Sequence, residues 1–198
     1  GRSDAAAPNV RFNGVQPIEL TKRAAENSDA SSPALSTTTL RDRGSALTMQ
    51  LPTSGVPFSV DTSRTEGTFF TSNRFSHDDT PLALSAVLIH TPDTDAGQTS
   101  GSMEERLNEQ TTLLTQGILT SPQGSEKKIL RDDVQSQNGC PAQRLTVQAH
   151  YQGQNIITEI LLIRGKTDTW IAELTFYAED TVLAELVPVL LSSIKIGA

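Results

Sequence analysis

The sequence predicts an α+β fold, an antiparallel sheet covered by helices. Two observations carry that reading. Three strand-like runs, residues 144–151, 155–164 and 169–177, follow one another across short turns, and one amphipathic helix closes the chain. Ahead of them, a capped helix follows a run that is apolar on both sides. An antiparallel meander with a covering helix needs no long crossovers.

Residues 1–39 are rich in Ala, Ser, Thr, Asn and Pro, and residues 28–39 nearly lack large apolar groups. Such a stretch buries too little surface to offset its ordering entropy. The expected organisation is therefore a flexible tether over residues 1–44 and one domain over residues 45–198. Within the tether, residues 10–20 carry Phe12, Val15, Ile18 and Leu20 and form a short extended piece able to dock.

The domain begins with a strand at residues 46–51, ended by Pro52, and a second at residues 56–61 across Thr53-Ser54-Gly55, a hairpin signal. Pro57 predicts an edge position, because proline donates nothing to a ladder. Residues 68–75 form a third strand. In residues 82–90, Leu82, Leu84, Ala86 and Leu88 share one face and Val87 and Ile89 the other, which predicts a central strand. After a polar loop at residues 92–101, Ser102 and Glu105 make a capping-box pattern. Met103, Leu107, Leu114 and Ile118 then recur at helical spacing.

Residues 127–135 are a further strand, and Asn138-Gly139 turns the chain. In residues 144–151 apolar Leu145, Val147, Ala149 and Tyr151 alternate with polar residues. Residues 156–163 are apolar more continuously, as in a strand covered on both sides. Trp170, Ala172, Leu174 and Phe176 share one face of the next strand. The last helix, residues 180–194, contains Pro188, and an interior proline costs about 3 kcal/mol, so a kink or restart is expected there.

Bulk numbers narrow the function classes. The 198 residues suit one ordinary domain plus a tail. The hydrophobic fraction is 36% and mean hydropathy is −0.29. No run approaches the ~18–20 apolar residues of a membrane helix. Net charge is −7, so phosphate backbones are repelled and nucleic acid is not an expected partner. The single cysteine, Cys140, excludes an internal disulfide and a thiolate zinc site.

The order of elements over residues 45–196 resembles the PsbP-like and Mog-type α/β sandwiches, a group that includes the extrinsic PsbP protein of photosystem II and many bacterial lipoproteins. The opening strand pair at residues 46–61, the capped helix after a central strand, the turn Asn138-Gly139-Cys140-Pro141-Ala142 and the ending Leu191-Ser192-Ser193-Ile194-Lys195-Ile196 carry the likeness. It implies a PsbP-like sandwich, an extracytoplasmic setting and a non-enzymatic role. The family has no shared catalytic residues to carry over.

Candidate chemistry is sparse. Cys140 follows a turn and has no motif that lowers its pKa, so it reads as a partly buried structural thiol. His77-Asp78-Asp79 offers metal-ligand atoms but without ligand spacing, and reads as a solvated turn before Pro81. His90 and His150 read as edge or surface residues. Gly97-Gln98-Thr99-Ser100-Gly101 only mimics a nucleophile elbow, because Thr99 holds the central place. Glu104-Glu105 suits a helix N-terminus, and Asp132-Asp133 point to opposite faces of a strand. Lys127-Lys128 needs no special role. Trp170, Phe176 and Tyr177 read as core, with a ligand pocket as the alternative. No catalytic, cofactor-binding or metal residue is expected, and no cofactor.

Two functions follow as expectations. The first is a non-enzymatic interaction module in the periplasm or cell envelope, tethered as a bacterial lipoprotein is once its signal peptide and lipidated cysteine are removed. It binds a protein partner through a sheet edge or loops and touches membrane only through a lipid anchor. The second is a carrier of a small apolar ligand in a pocket between sheet and closing helix.

Overall fold

A computed structural model describes residues 33–54, 56–93 and 101–197. Its centre is a seven-stranded antiparallel sheet in the order β3-β4-β7-β11-β10-β9-β8. These strands are β3 (Ser59–Asp61), β4 (Thr68–Ser72), β7 (Leu84–Pro92), β8 (Ser125–Gln137), β9 (Cys140–Tyr151), β10 (Gln154–Arg164) and β11 (Asp168–Tyr177). A second antiparallel sheet holds β1 (Leu35–Asp42), β2 (Ser45–Pro52) and β12 (Lys195–Gly197), in the order β1-β2-β12. A small hairpin pairs β5 (Ser76–His77) with β6 (Thr80–Pro81). Two helices complete the described residues, α1 (Met103–Thr120) and α2 (Thr181–Ser192).

Strand alternation divides the interior into two clusters, one on each face of the large sheet. On one face, Leu84, Ala86 and Leu88 of β7 join Trp170, Ala172, Leu174 and Phe176 of β11. Leu47, Met49 and Leu51 of β2 and Leu183, Val187, Leu190 and Leu191 of α2 close that cluster. On the opposite face, Val87 and Ile89 join Ile160, Leu162 and Ile171 under Leu107, Leu114 and Ile118 of α1. Central β7 and β10 therefore need apolar groups on both sides, and their sequences supply them.

Local signals explain most element ends. Ser102 accepts from the Glu105 backbone N–H at 3.1 Å, and Glu105 Oε1 accepts from the Ser102 N–H at 2.8 Å, closing the expected capping box. Asp180 caps α2 by accepting from the Leu183 N–H at 3.0 Å. Helix α2 runs through Pro188. Asn138 (φ 54°) and Gly139 (φ 82°) turn β8 into β9. Arg43 (φ 51°) with Gly44 (φ 81°), and Gln152 (φ 50°) with Gly153 (φ 79°), turn their hairpins alike.

The architecture is α+β, but sheets dominate it. One face of the large sheet is covered by a three-stranded sheet as much as by α2, so helices alone do not make the cover. Regular structure also starts earlier than residue 45, because residues 35–42 of the expected tether form β1. The tether over residues 1–32, including residues 10–20, and the Thr99 loop lie outside the described residues. The expected hairpin between residues 46–51 and 56–61 does not form. β2 pairs with β1 and β12 and β3 pairs with β4, so residues 53–58 cross from one sheet to the other. Pro57 does precede an edge strand, as its missing N–H requires. The Ser-Ile-Lys ending leaves the helix and becomes β12.

Candidate functional site: a cleft between two sheet edges

The crossing at residues 53–58 leaves a cleft of about 520 Å3 between the two sheets. Ser36, Thr38, Thr39, Leu40 and Arg41 of β1 form one wall. Val56, Phe58 and Val60 form the other, and Phe70, Phe75 and Leu51 line the space between. A strand that lines a space with one face offers every second residue. Here Thr38, Thr39, Leu40 and Arg41 contribute consecutively, so β1 meets the cleft edge-on.

Both walls are sheet edges. β1 pairs only with β2, and β3 only with β4, among the described residues. An edge strand carries a row of backbone donors and acceptors without a ladder partner. The lining between these edges is apolar and hydroxylic, and Arg41 is its one charged group among the described residues. Val60 is 57% exposed and Val56 38%. Phe58 meets Phe75 edge-to-face, ring centres 6.3 Å apart. Asp61 steadies the end of β3, accepting from the Ser63 hydroxyl at 2.6 Å, from the Ser63 N–H at 2.9 Å and from Arg64 Nε at 3.1 Å. Those bonds, with Ser63 foremost, hold the Asp61 carboxyl below its ordinary range.

The other edge, β8, is built differently. Its pairing with β9 is irregular between Ser125 and Lys128 and between Ile129 and Arg131. It also carries Glu126, Lys127, Lys128, Arg131, Asp132 and Asp133. Bulges and charge are the usual means of blunting an edge. Leu130 and Val134 are exposed on it.

Behind the cleft lies a buried polar clasp. Phe70 of the cleft stacks on Trp170, centres 6.1 Å apart, and Trp170 stacks on His90 at 4.5 Å. His90 Nδ1 meets Asp42 Oδ2 at 2.6 Å, and His90 Nε2 meets Asp168 Oδ2 at 2.8 Å. Trp170 Nε1 donates to Ser45 Oγ at 2.9 Å. The clasp ties the β1–β2 turn to β7 and β11, and so anchors the cleft's β1 wall. Burial works against a charged His90. The hydrogen bonds to Asp168 and Asp42, with the charges behind them, outweigh it and raise the His90 pKa above 6.5. The His90 bond is the largest influence holding the Asp168 carboxyl below its usual value.

This cluster cannot work as a serine-hydrolase triad. His90 is 1% exposed and both its ring nitrogens are engaged with carboxylates. The Ser45 hydroxyl bonds Asp168, so the imidazole holds no nucleophile.

The other candidates fall as follows. His90, read from sequence as an edge residue, is buried, because β4 and β11 flank its strand and Asp42 and Asp168 satisfy it. His150 is half-buried beside Asn155, 3.1 Å away. His77 meets Asp78 at 3.3 Å in the β5–β6 turn, and no three His, Cys, Asp or Glu side chains among the described residues are arranged to hold a metal ion. Cys140 is half-buried against the core. Lys127 Nζ donates to the Ser121 carbonyl at the end of α1. Asp132 accepts from Gln143 and Asp133 faces Arg131, on opposite sides of β8. Arg144, on the polar side of β9, is buried against Glu159, which also accepts from Thr146 at 2.6 Å. Trp170 and Phe176 fill the core, and Tyr177 packs half-buried on the opposite cluster. The described cleft thus lies at the crossing of the sheets and not beside α2, where Leu183, Val187 and Leu190 pack into the core.

No family model matches this chain, and no curated protein matches its sequence. Solved structures do match its fold. Cyanobacterial PsbP (CyanoP) from Synechocystis sp. PCC 6803 has a TM-score of 0.52 at 10% identity, covering 90% of this chain and 99% of that one. LpqN, involved in cell envelope biogenesis of Mycobacterium tuberculosis, has a TM-score of 0.45 at 14% identity, over 83% and 92% of the two chains. The immunity protein TplEi of T6SS from Pseudomonas aeruginosa has a TM-score of 0.40 at 12% identity, over 98% and 82%. The CyanoP likeness supports a PsbP-like fold. No helix among the described residues is long and apolar enough to cross a membrane.

Proposed function

We propose that this chain is a non-enzymatic, extracytoplasmic interaction module that takes an extended segment of a partner protein into the cleft between β1 and β3. One observation carries the reading: two sheet edges flank one apolar cleft. An incoming strand satisfies edge donors and acceptors with its own backbone, while pockets for alternate side chains set specificity. The cleft residues suit this, with hydroxyls on the β1 side and Phe58, Phe70 and Phe75 offering apolar contact. The one buried histidine cluster is closed to substrate, which favours binding over catalysis. The extracytoplasmic setting rests on the tether-like composition of residues 1–39, rich in Ala, Ser, Thr, Asn and Pro. Fractionation of cells expressing the native gene tests it.

The test of binding is capture from envelope extract with three proteins in parallel. Val60→Arg puts a long cation in the cleft, and Val134→Arg puts the same group on β8. The expected result is a partner held by wild type and by Val134→Arg but lost by Val60→Arg. Equal capture by all three contradicts the reading.

A carrier of a small apolar ligand is the second reading. A cleft of about 520 Å3 falls within the usual ~300–1,000 Å3 range of ligand pockets. Mass spectrometry of organic extracts from the purified protein decides it, since a carrier releases a stoichiometric lipophilic compound that Val60→Arg does not retain.

A further inference from the structure

We propose that residues 10–20 of this same chain occupy the cleft when no partner is bound, making the N-terminal segment a built-in competitor. The inference rests on the cleft being a strand-accepting site, and adds what fills it.

Three observations support this occupant. The first is where the described chain begins. Pro33 is buried, the Ala34 N–H donates to His77 Nδ1 at 3.3 Å, and the Ala34 carbonyl accepts from the Thr53 N–H at 3.0 Å. The chain is therefore pinned immediately before β1, the cleft's own wall. Residues 21–32 then separate this point from residue 20. Twelve residues reach up to about 40 Å, whereas the β1 wall from Ser36 to Arg41 extends only about 20 Å. The segment can therefore lie along β1 in either direction.

The second is sequence pattern. Val10, Phe12, Ile18 and Leu20 fall on even positions beside Gly14 and Gln16, and Arg11, Asn13, Val15, Pro17 and Glu19 fall on odd ones. Strand period places four of the five large apolar side chains on one face, and both charges with Val15 on the other. The flanking stretch, Thr21-Lys22-Arg23-Ala24-Ala25-Glu26-Asn27-Ser28, lacks that pattern. Pro17 is tolerated where a strand adds at an edge, since its missing N–H can face away from the ladder.

The third is charge. The protein carries −7 overall, yet the cleft's one charged group among the described residues is the cation Arg41. Residues 10–20 contain one acid, Glu19, and one base, Arg11. A near-neutral apolar strand with one carboxylate suits this lining better than a strongly charged tail.

Tethering makes the competition effective. A short covalent link gives a local concentration in the millimolar range, so even a weak segment competes with a partner and must be displaced.

The experiment is hydrogen exchange on the full chain, wild type against Phe12→Asp/Ile18→Asp. Both changes lie outside the described cores, and exchange across β10 serves as the folding control. The expected result is at least tenfold faster exchange in the double variant at residues 36–41 and 59–61, unchanged exchange in β10, and no effect of tenfold dilution on wild type. Equal exchange in both proteins overturns the proposal. So does protection in wild type that vanishes on dilution, which assigns the cleft to a second copy. The proposed function fails separately. If Val60→Arg still captures the partner while the segment protects the cleft, the cleft is a self-docking site only. If Val60→Arg loses the partner while exchange is equal, the cleft binds partner without an internal competitor. When both ideas hold, Phe12→Asp/Ile18→Asp captures more partner than wild type.

Discussion

His90 shows how much one residue can tie together. Its two ring nitrogens join Asp42, which ends β1, to Asp168, which starts β11. Removing one partner of a buried charge cluster costs about 3–5 kcal/mol, because the remaining charge stays buried and uncompensated. His90→Ala is therefore expected to lower stability by that order in urea unfolding. The pH dependence has a definite sign. His90 titrates higher in the folded state, so its contribution is complete below 6.5 and is lost as pH rises through the raised value. Asp168 titrates lower when folded, so its contribution is present above 3.8 and is lost as pH falls through the depressed value. The clasp is strongest between those limits. Thermal unfolding of wild type should weaken on the alkaline side of that window, and His90→Gln should flatten that slope. The window was not legible from sequence. An His at the end of an apolar strand shows nothing of Asp42 and Asp168, which lie 48 and 78 positions away.

Gly67 (φ 149°) is a second residue with a sharp expectation. A Cβ there would lie 2.3 Å from the His90 carbonyl oxygen, which is backbone and cannot swing aside. Gly67→Ala should cost at least about 1–3 kcal/mol, read as a lower unfolding midpoint. It should also loosen β4, whose Thr68 faces His90 in register.

At the scale of elements, the difference between edges is what gives this fold a binding surface. β8 is irregular and charged, whereas β1 and β3 flank an apolar cleft. The Val60→Arg effect on capture belongs here, because it changes one edge without touching either core. Helix α1 offers a complementary test of local chemistry. Ser102→Ala removes a cap seen in full, so stability should fall by about 0.5–2 kcal/mol with partner capture unchanged. Elements with strong periodicity were readable. Residues 156–163 declared a strand buried on both faces, and Ser102 with Glu105 declared a helix start. β1 is not legible in the sequence because Ser36-Thr37-Thr38-Thr39 resembles a polar linker. Its one sequence signal is Arg43-Gly44, a two-residue turn like Asn138-Gly139. The expected pairing of residues 46–51 with 56–61 fails for the same reason, since the true partner of β2 reads as part of the tether. β12 is three residues long, and its place beside β2 follows from where α2 delivers the chain.

At the scale of the whole molecule, the large sheet is a partition between two cores, and the small sheet is a partial roof over one of them. The roof is the origin of the cleft. A helix in its place would present no strand edge, and a single continuous sheet would leave none between β1 and β3. Sequence periodicity shows which residues face inward. It does not show that residues 53–58 jump between sheets, and the site depends on that jump. The most direct test is to select extended peptides from a random library on the immobilised full chain and map the footprint of the winners by hydrogen exchange. The account predicts added protection at residues 36–41 and 59–61, with Val60→Arg abolishing binding. Protection confined to β8 or α1, with Val60→Arg binding as wild type does, would contradict it.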